Sequence, residues 1–116
     1  NGYSDSHMFP EPYLHGNKNI IHIQNYQELV EEGRIMRNCV ASYSDDVNAG
    51  KSCIYKTLYP QRGTLELNRT VKGYEINQFT LKDNLSPSQK AFEYVRGWLC
   101  GVGGQIPLPL FVVGDL

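Results

Sequence analysis

The chain has 116 residues, 41% of them hydrophobic and 20% charged, and its formal net charge is −1. That length suits one core rather than two. The composition excludes wholesale disorder, and the charge predicts no strong global pull toward nucleic acid or an anionic membrane.

Residues 1–17 are rich in Gly, Ser, Pro, Tyr and His without periodicity, which reads as an irregular N-terminal arm held down through Met8, Phe9, Tyr13 and Leu14. A single α+β domain is expected over 18–101. Ile20, Ile21 and Ile23 form a short strand candidate. Asn25 then has the character of a helix N-cap, with Glu28 at the capping-box position three residues on. Tyr26, Leu29 and Val30 give that helix an apolar edge, and Gly33 is expected to end it.

Met36, Cys39, Val40, Tyr43 and Val47 recur at spacings of three and four, predicting a second amphipathic helix closed by Asn48 and Gly50. Strands are predicted over 52–59, 64–68 and 72–81. Pro60-Gln61-Arg62-Gly63 between the first two has type I or II turn composition. Leu65 and Leu67 alternate with Glu66, so one face is expected to be buried and the other wet. In the third strand Tyr74, Ile76, Gln78 and Thr80 should share one side, and Glu75, Asn77, Phe79 and Leu81 the other.

Ser86-Pro87-Ser88-Gln89 is a helix start with a Ser cap, Pro in the first turn and Gln at the capping-box position. Ala91, Phe92, Val95, Trp98 and Leu99 follow as an apolar stripe that Gly101 should stop. Residues 102–116 read as an extended tail; their apolar stretch 106–113 is broken by Pro107 and Pro109. It is far shorter than the ~20 residues of a membrane span. The expected fold is a three-stranded antiparallel meander packed against two to three helices, with the other sheet face solvated.

Cys39, Cys53 and Cys100 are single and widely spaced, a pattern that predicts reduced thiols and a cytoplasmic setting. With His7, His15 and His22 they form no close ligand pairs, so no metal and no cofactor is expected. Cys39 lies near Arg34 and Arg37, which could lower a thiol pKa. Its place on the apolar stripe favours a buried structural thiol instead.

Charge is unevenly distributed. Lys51, Lys56, Arg62, Arg69 and Lys72 stand against one acid, Glu66, whereas Glu28, Glu31, Glu32, Asp45 and Asp46 dominate the helical part. Basic side chains interleaved with Tyr55, Tyr59 and Tyr74 on a sheet resemble the surface of a single-strand binder. A merely solubilising surface is the alternative. A second constellation is polar: Arg37, Cys39, Tyr43, Glu66, Gln78 and Asn84 could converge on a small ligand, or could form a hydrogen-bonded core network.

The run Met36-Arg37-Asn38-Cys39-Val40-Ala41-Ser42-Tyr43, then Gly50, Ile54, Thr64-Leu65-Glu66-Leu67, Gln78, Asn84 and the stretch from Pro87 to Trp98, resembles the PcfJ-like protein family. Its Cys-Val-x-x-Tyr segment is the most specific part. Two positions depart from the family pattern. Asn38 stands where a His is usual, and Thr80-Leu81-Lys82-Asp83 lacks the usual Gly. The resemblance implies a conjugative-plasmid or mobile-element setting, and no particular reaction.

The expected function is a binding module of such an element. It would contact nucleic acid or a nucleoprotein partner, and no membrane, through Lys51, Tyr55, Lys56, Arg62, Arg69 and Lys72. The alternative is an enzyme or small-ligand binder built on the polar set.

Overall fold

The computed structural model describes residues 2–12 and 14–103. Its strands are β1 (Ile20–His22), β2 (Ser52–Thr57), β3 (Gly63–Thr70) and β4 (Gly73–Leu81). Its α-helices are α1 (Tyr26–Met36), α2 (Ser44–Asn48) and α3 (Gln89–Gly103). Two 3-10 turns cover Val40–Tyr43 and Lys82–Asn84. The four strands make one antiparallel sheet in the order β1-β2-β3-β4. The fold is therefore α+β, with one strand more than the expected meander: Ile20, Ile21 and His22 pair with Thr57, Lys56 and Tyr55 along the open side of β2.

Both faces of the sheet are covered. Tyr55, Leu65, Leu67 and Phe79 pack with Val95, Trp98 and Leu99 of α3. Ile54 packs with Leu29 of α1, Val40, Val47 of α2 and Phe9 of the N-terminal arm. The solvated second face expected from the Leu65-Glu66-Leu67 alternation is thus absent, and Glu66 is only 6% exposed. Short-range alternation shows which residues share a face, but only the long connection carrying α1 and α2 decides what lies over it. The arm behaves as expected at Phe9 and Leu14, which are buried, whereas Met8 is 59% exposed. Tyr13, and the expected tail beyond residue 103, lie outside the described residues.

Asn25 caps α1 as expected, its Oδ1 accepting the Glu28 N–H at 2.8 Å. Glu28 reaches back to the Gln24 N–H (2.9 Å). Gly33 does not end this helix. The stop comes at Arg37, in the left-handed region (φ 53°, ψ 55°), where the Arg37 and Asn38 N–H groups both bond the Gly33 carbonyl. A Cβ at Gly33 would stand 3.2 Å from the Asn38 carbonyl oxygen. This glycine therefore permits the chain to turn back closely over the helix.

That reversal also dissolves the expected second helix. Its stripe splits between the end of α1, a 3-10 turn and the short α2. Met36, Val40 and Val47 remain buried, but Cys39 is exposed.

Gly101 likewise does not stop α3, which runs to Gly103. The cap of α3 is Ser88, whose Oγ accepts the Ala91 N–H at 3.1 Å, so the helix starts two residues later than a Ser86 cap would place it and Pro87 lies outside it. A cis Tyr59–Pro60 peptide leads into the 60–63 connection between β2 and β3. Among the described residues no helix is long and apolar enough to cross a membrane.

Candidate functional site

Pairing between β3 and β4 shifts by one residue. Glu66 lies opposite Gln78, and Leu67 lies opposite Ile76, so Asn77 is the extra residue of a β-bulge. A bulge breaks strict alternation beyond it. Tyr74, Ile76 and Phe79 consequently face α3 together, and the expected grouping of Gln78 with Tyr74 and Ile76 is overturned. Asn77 and Gln78 both turn toward Glu66.

The buried Glu66 carboxylate is then satisfied by neutral donors. Ser52 Oγ donates to Oε2 at 2.8 Å, and Asn77 Nδ2 and Gln78 Nε2 donate to Oε1 at 2.8 and 3.3 Å. Hydrogen bonds to an ionised acceptor are stronger than neutral ones, which suits a carboxylate held away from water.

Gln78 also links the sheet to the 3-10 turn above it. Its Nε2 donates to the Tyr43 hydroxyl oxygen at 2.7 Å. With that oxygen accepting from Gln78, the phenol proton is free to point at the Cys39 Sγ, 3.7 Å away, or at a bound group. The Gln78 donation favours the phenolate. The contact with Cys39, partial burial and the nearby Glu66 carboxylate outweigh it and hold the Tyr43 hydroxyl above its ordinary value. Tyr43 is therefore a proton-bearing donor at neutral pH.

Cys39, Tyr43, Glu66, Gln78 and Asn84 line one small open pocket together with Asn38, Thr64 and Thr80. Its volume of about 20 Å³ accommodates a group about the size of one water. Five members of the expected polar set thus meet. The sixth, Arg37, stands beside them, with Nε 2.7 Å and Nη2 3.2 Å from the two Asp83 carboxylate oxygens. The pair is mostly exposed (64% and 48%), so it serves mainly to tie the end of α1 to the 82–84 turn.

Among the described residues, the non-glycine positions with positive φ are Arg37 (53°), Asp83 (60°) and Asn84 (60°). All three lie at this pocket or immediately next to it. Strained backbone of this kind persists where the surrounding structure over-determines it, and such positions cluster at ligand sites.

Some contributors were not foreseen. Asn38 bridges, with Nδ2 donating to Thr64 Oγ1 (3.2 Å) and Oδ1 accepting the Val40 N–H (3.0 Å). Thr64 in turn donates to Glu32 Oε2 at 2.6 Å. Asn77 enters only through the bulge, which no periodicity in this sequence announces. Cys39 was expected to be buried; the left-handed turn at Arg37 places it at the surface.

The basic set is divided by the same fold. Lys51 and Arg69 meet at the β3–β4 hairpin end, where the Arg69 N–H bonds the Lys51 carbonyl, and Lys72 lies in that hairpin's turn. Lys56 and Arg62 lie at the opposite end of the sheet; Lys51, just before β2, and Lys56 are five residue steps apart, roughly 17 Å along extended chain.

Arg62 holds the buried Glu32 bidentately, with Nη1 at 2.9 Å and Nη2 at 2.5 Å from its carboxylate oxygens. Tyr55 is fully buried, its hydroxyl donating to the Leu14 carbonyl, and burial pushes its phenol far up. Tyr74 is also in the core. Neither ring can stack on a base, so the expected role of Tyr55 is corrected to that of a core residue, and Arg62 to an ion-pair partner.

No family model matches the chain, and no curated protein or solved structure matches it.

Proposed function

We propose that this domain binds a small polar ligand at the Cys39–Tyr43–Gln78 pocket, with the thiol and the phenolic proton as the groups that meet it. The observation that carries the reading is the convergence itself. A bulge, a left-handed helix stop and two left-handed residues after β4 bring Cys39, Tyr43, Glu66, Gln78 and Asn84 together. The buried carboxylate aligns Gln78, Gln78 aligns Tyr43, and Tyr43 directs its proton toward the mouth where Cys39 is exposed. The mobile-element setting belongs to the same proposal, because the most specific segment of the PcfJ-like resemblance supplies Cys39 and Tyr43.

Thiol protection tests it. Iodoacetamide should label Cys39 faster than the buried Cys53, whose thiol burial pushes up to about 11. Cys39 should also outpace Cys100, which burial raises as well. Within a panel of small carbonyl and carboxylate compounds, at least one should slow Cys39 labelling in the wild type. Tyr43→Phe should reduce that protection about fivefold, the worth of one hydrogen bond. Fast labelling that no compound slows would remove the reading.

Contact with nucleic acid has narrower support: Lys51, Arg69 and Lys72 share one end of the sheet and are exposed. Binding of single-stranded DNA or RNA at low salt should weaken when Lys51 and Lys72 become Ala, and its salt dependence should become shallower. Unchanged binding in that variant excludes this end as the contact.

A further inference from the structure

A second, larger cavity lies on the α1 side of the sheet and is separate from the Cys39 pocket, though the Thr64–Glu32 hydrogen bond joins their linings. Its volume is about 340 Å³, within the range of small-molecule sites. Helix α1 forms one wall, and Lys56 of β2 and Arg62, just before β3, form the other. Ile23 lies at its floor, 2% exposed, and Ile35 at its rim is 42% exposed. A large apolar side chain left open at the edge of a cavity is a surface that a ligand's apolar part can cover.

The charges around it resolve into pairs. Glu31 is held by Arg34 on the outside of α1, and Glu32 by Arg62. Two lining charges remain. Lys56 is half-buried and enters no ion pair among the described residues. Glu28 accepts only backbone N–H from Gln24 through its carboxylate, a neutral donor that leaves its charge uncompensated. The open cavity therefore presents one cation, one anion and an apolar surface.

We propose that this cavity binds a zwitterion of amino-acid size with an apolar side chain. The ligand's carboxylate meets Lys56, its ammonium meets Glu28, and its aliphatic part covers Ile23 and Ile35. A purely anionic ligand would face the Glu28 carboxylate without compensation, and a purely cationic one would face Lys56. Carrying both charges removes either mismatch.

The test uses the whole chain and three probes: leucine, isovalerate, which lacks the ammonium, and isopentylamine, which lacks the carboxylate. Backbone amide NMR titrations should show leucine shifting the signals of Ile23, Glu28, Ile35 and Lys56, with a Kd on the order of 1 mM. Each single-charge analogue should bind about fivefold more weakly, as expected for one partly exposed ion pair. Lys56→Met should weaken leucine to the level of isopentylamine, and Glu28→Gln should weaken it to the level of isovalerate. Glutamine at position 28 retains the helix-capping acceptor, so this variant keeps α1 intact. The proposal is overturned if either analogue binds as tightly as leucine, or if leucine up to tens of millimolar shifts none of these signals. It does not depend on the Cys39 pocket, and leucine should leave the Cys39 labelling rate unchanged.

Discussion

Arg62 and Glu32 form an ion pair whose two halves differ sharply in exposure, and the difference predicts an asymmetric response to mutation. The Arg62 side chain is 34% exposed, whereas that of Glu32 is 2% exposed. Arg62→Met leaves a carboxylate buried beside Thr64 with its counter-ion gone, and such losses cost about 3 kcal/mol or more. Glu32→Leu leaves a guanidinium that can turn toward water and that still donates to the Gly63 carbonyl at 2.8 Å. Its main cost is the lost acceptor for the Thr64 hydroxyl proton, about 1 kcal/mol, while the Thr64 oxygen still accepts from Asn38. The double variant replaces the pair with apolar groups and should lie close to wild type.

Urea unfolding provides the assay. With an m-value of about 1.5 kcal/mol/M, Arg62→Met should lower the midpoint by about 2 M and Glu32→Leu by less than 1 M. The double variant should recover most of the loss, giving a coupling energy of about 2 kcal/mol or more. Equal single losses, or a double variant as unstable as Arg62→Met, would refute the reasoning. The result also bears on function, since an arginine whose removal unfolds the domain cannot be read as a phosphate contact from lost binding alone.

Two further outcomes follow from the core side of β1 and from α1. Burial holds the His22 imidazole below its ordinary 6.5, against the opposing pull of the Glu11 and Glu28 carboxylates. As pH falls below about 6.5 the unfolded chain takes up this proton first, so stability should drop and then level off once the folded form is protonated too. Replacing His22 with Phe should flatten the decline between pH 7 and pH 5.5 in urea midpoints; an unaltered slope would place the titrating group elsewhere. Asn25→Ala removes the acceptor of the Glu28 N–H and should cost about 1 kcal/mol. Thermal unfolding with no shift in midpoint would show that Glu28 caps α1 unaided.

Much of the architecture was legible because it is encoded locally. Asn25 carries a short side chain that bonds the N–H three residues ahead, so its role depends on almost nothing outside the first helical turn. The strands show in the β-branched and alternating residues around Ile54, Leu65 and Ile76. The polar set was legible as a set because its members are polar residues amid apolar runs, where a buried group needs partners.

Other features depend on contacts between residues far apart in the chain. Helix periodicity continued through 36–47, yet the backbone reverses at Arg37, a residue whose type does not announce left-handed geometry. Gly33 resembled a stop signal but is small because Asn38 passes close by. Tyr55 and Arg62 counted as an aromatic and a cation in a basic stretch. Their surroundings made one a core ring and the other the counter-ion of Glu32.

By itself, then, the sequence determined the α+β class, the start of α1, the apolar stripe of α3 and the residues capable of forming a polar site, all governed by interactions within a few positions along the chain. Tertiary structure alone decided that both sheet faces are covered, that a bulge turns Asn77 and Gln78 onto Glu66, and that Cys39 reaches the surface. The physical reason is that each of these depends on which distant side chain occupies the facing position, and no local period carries that information.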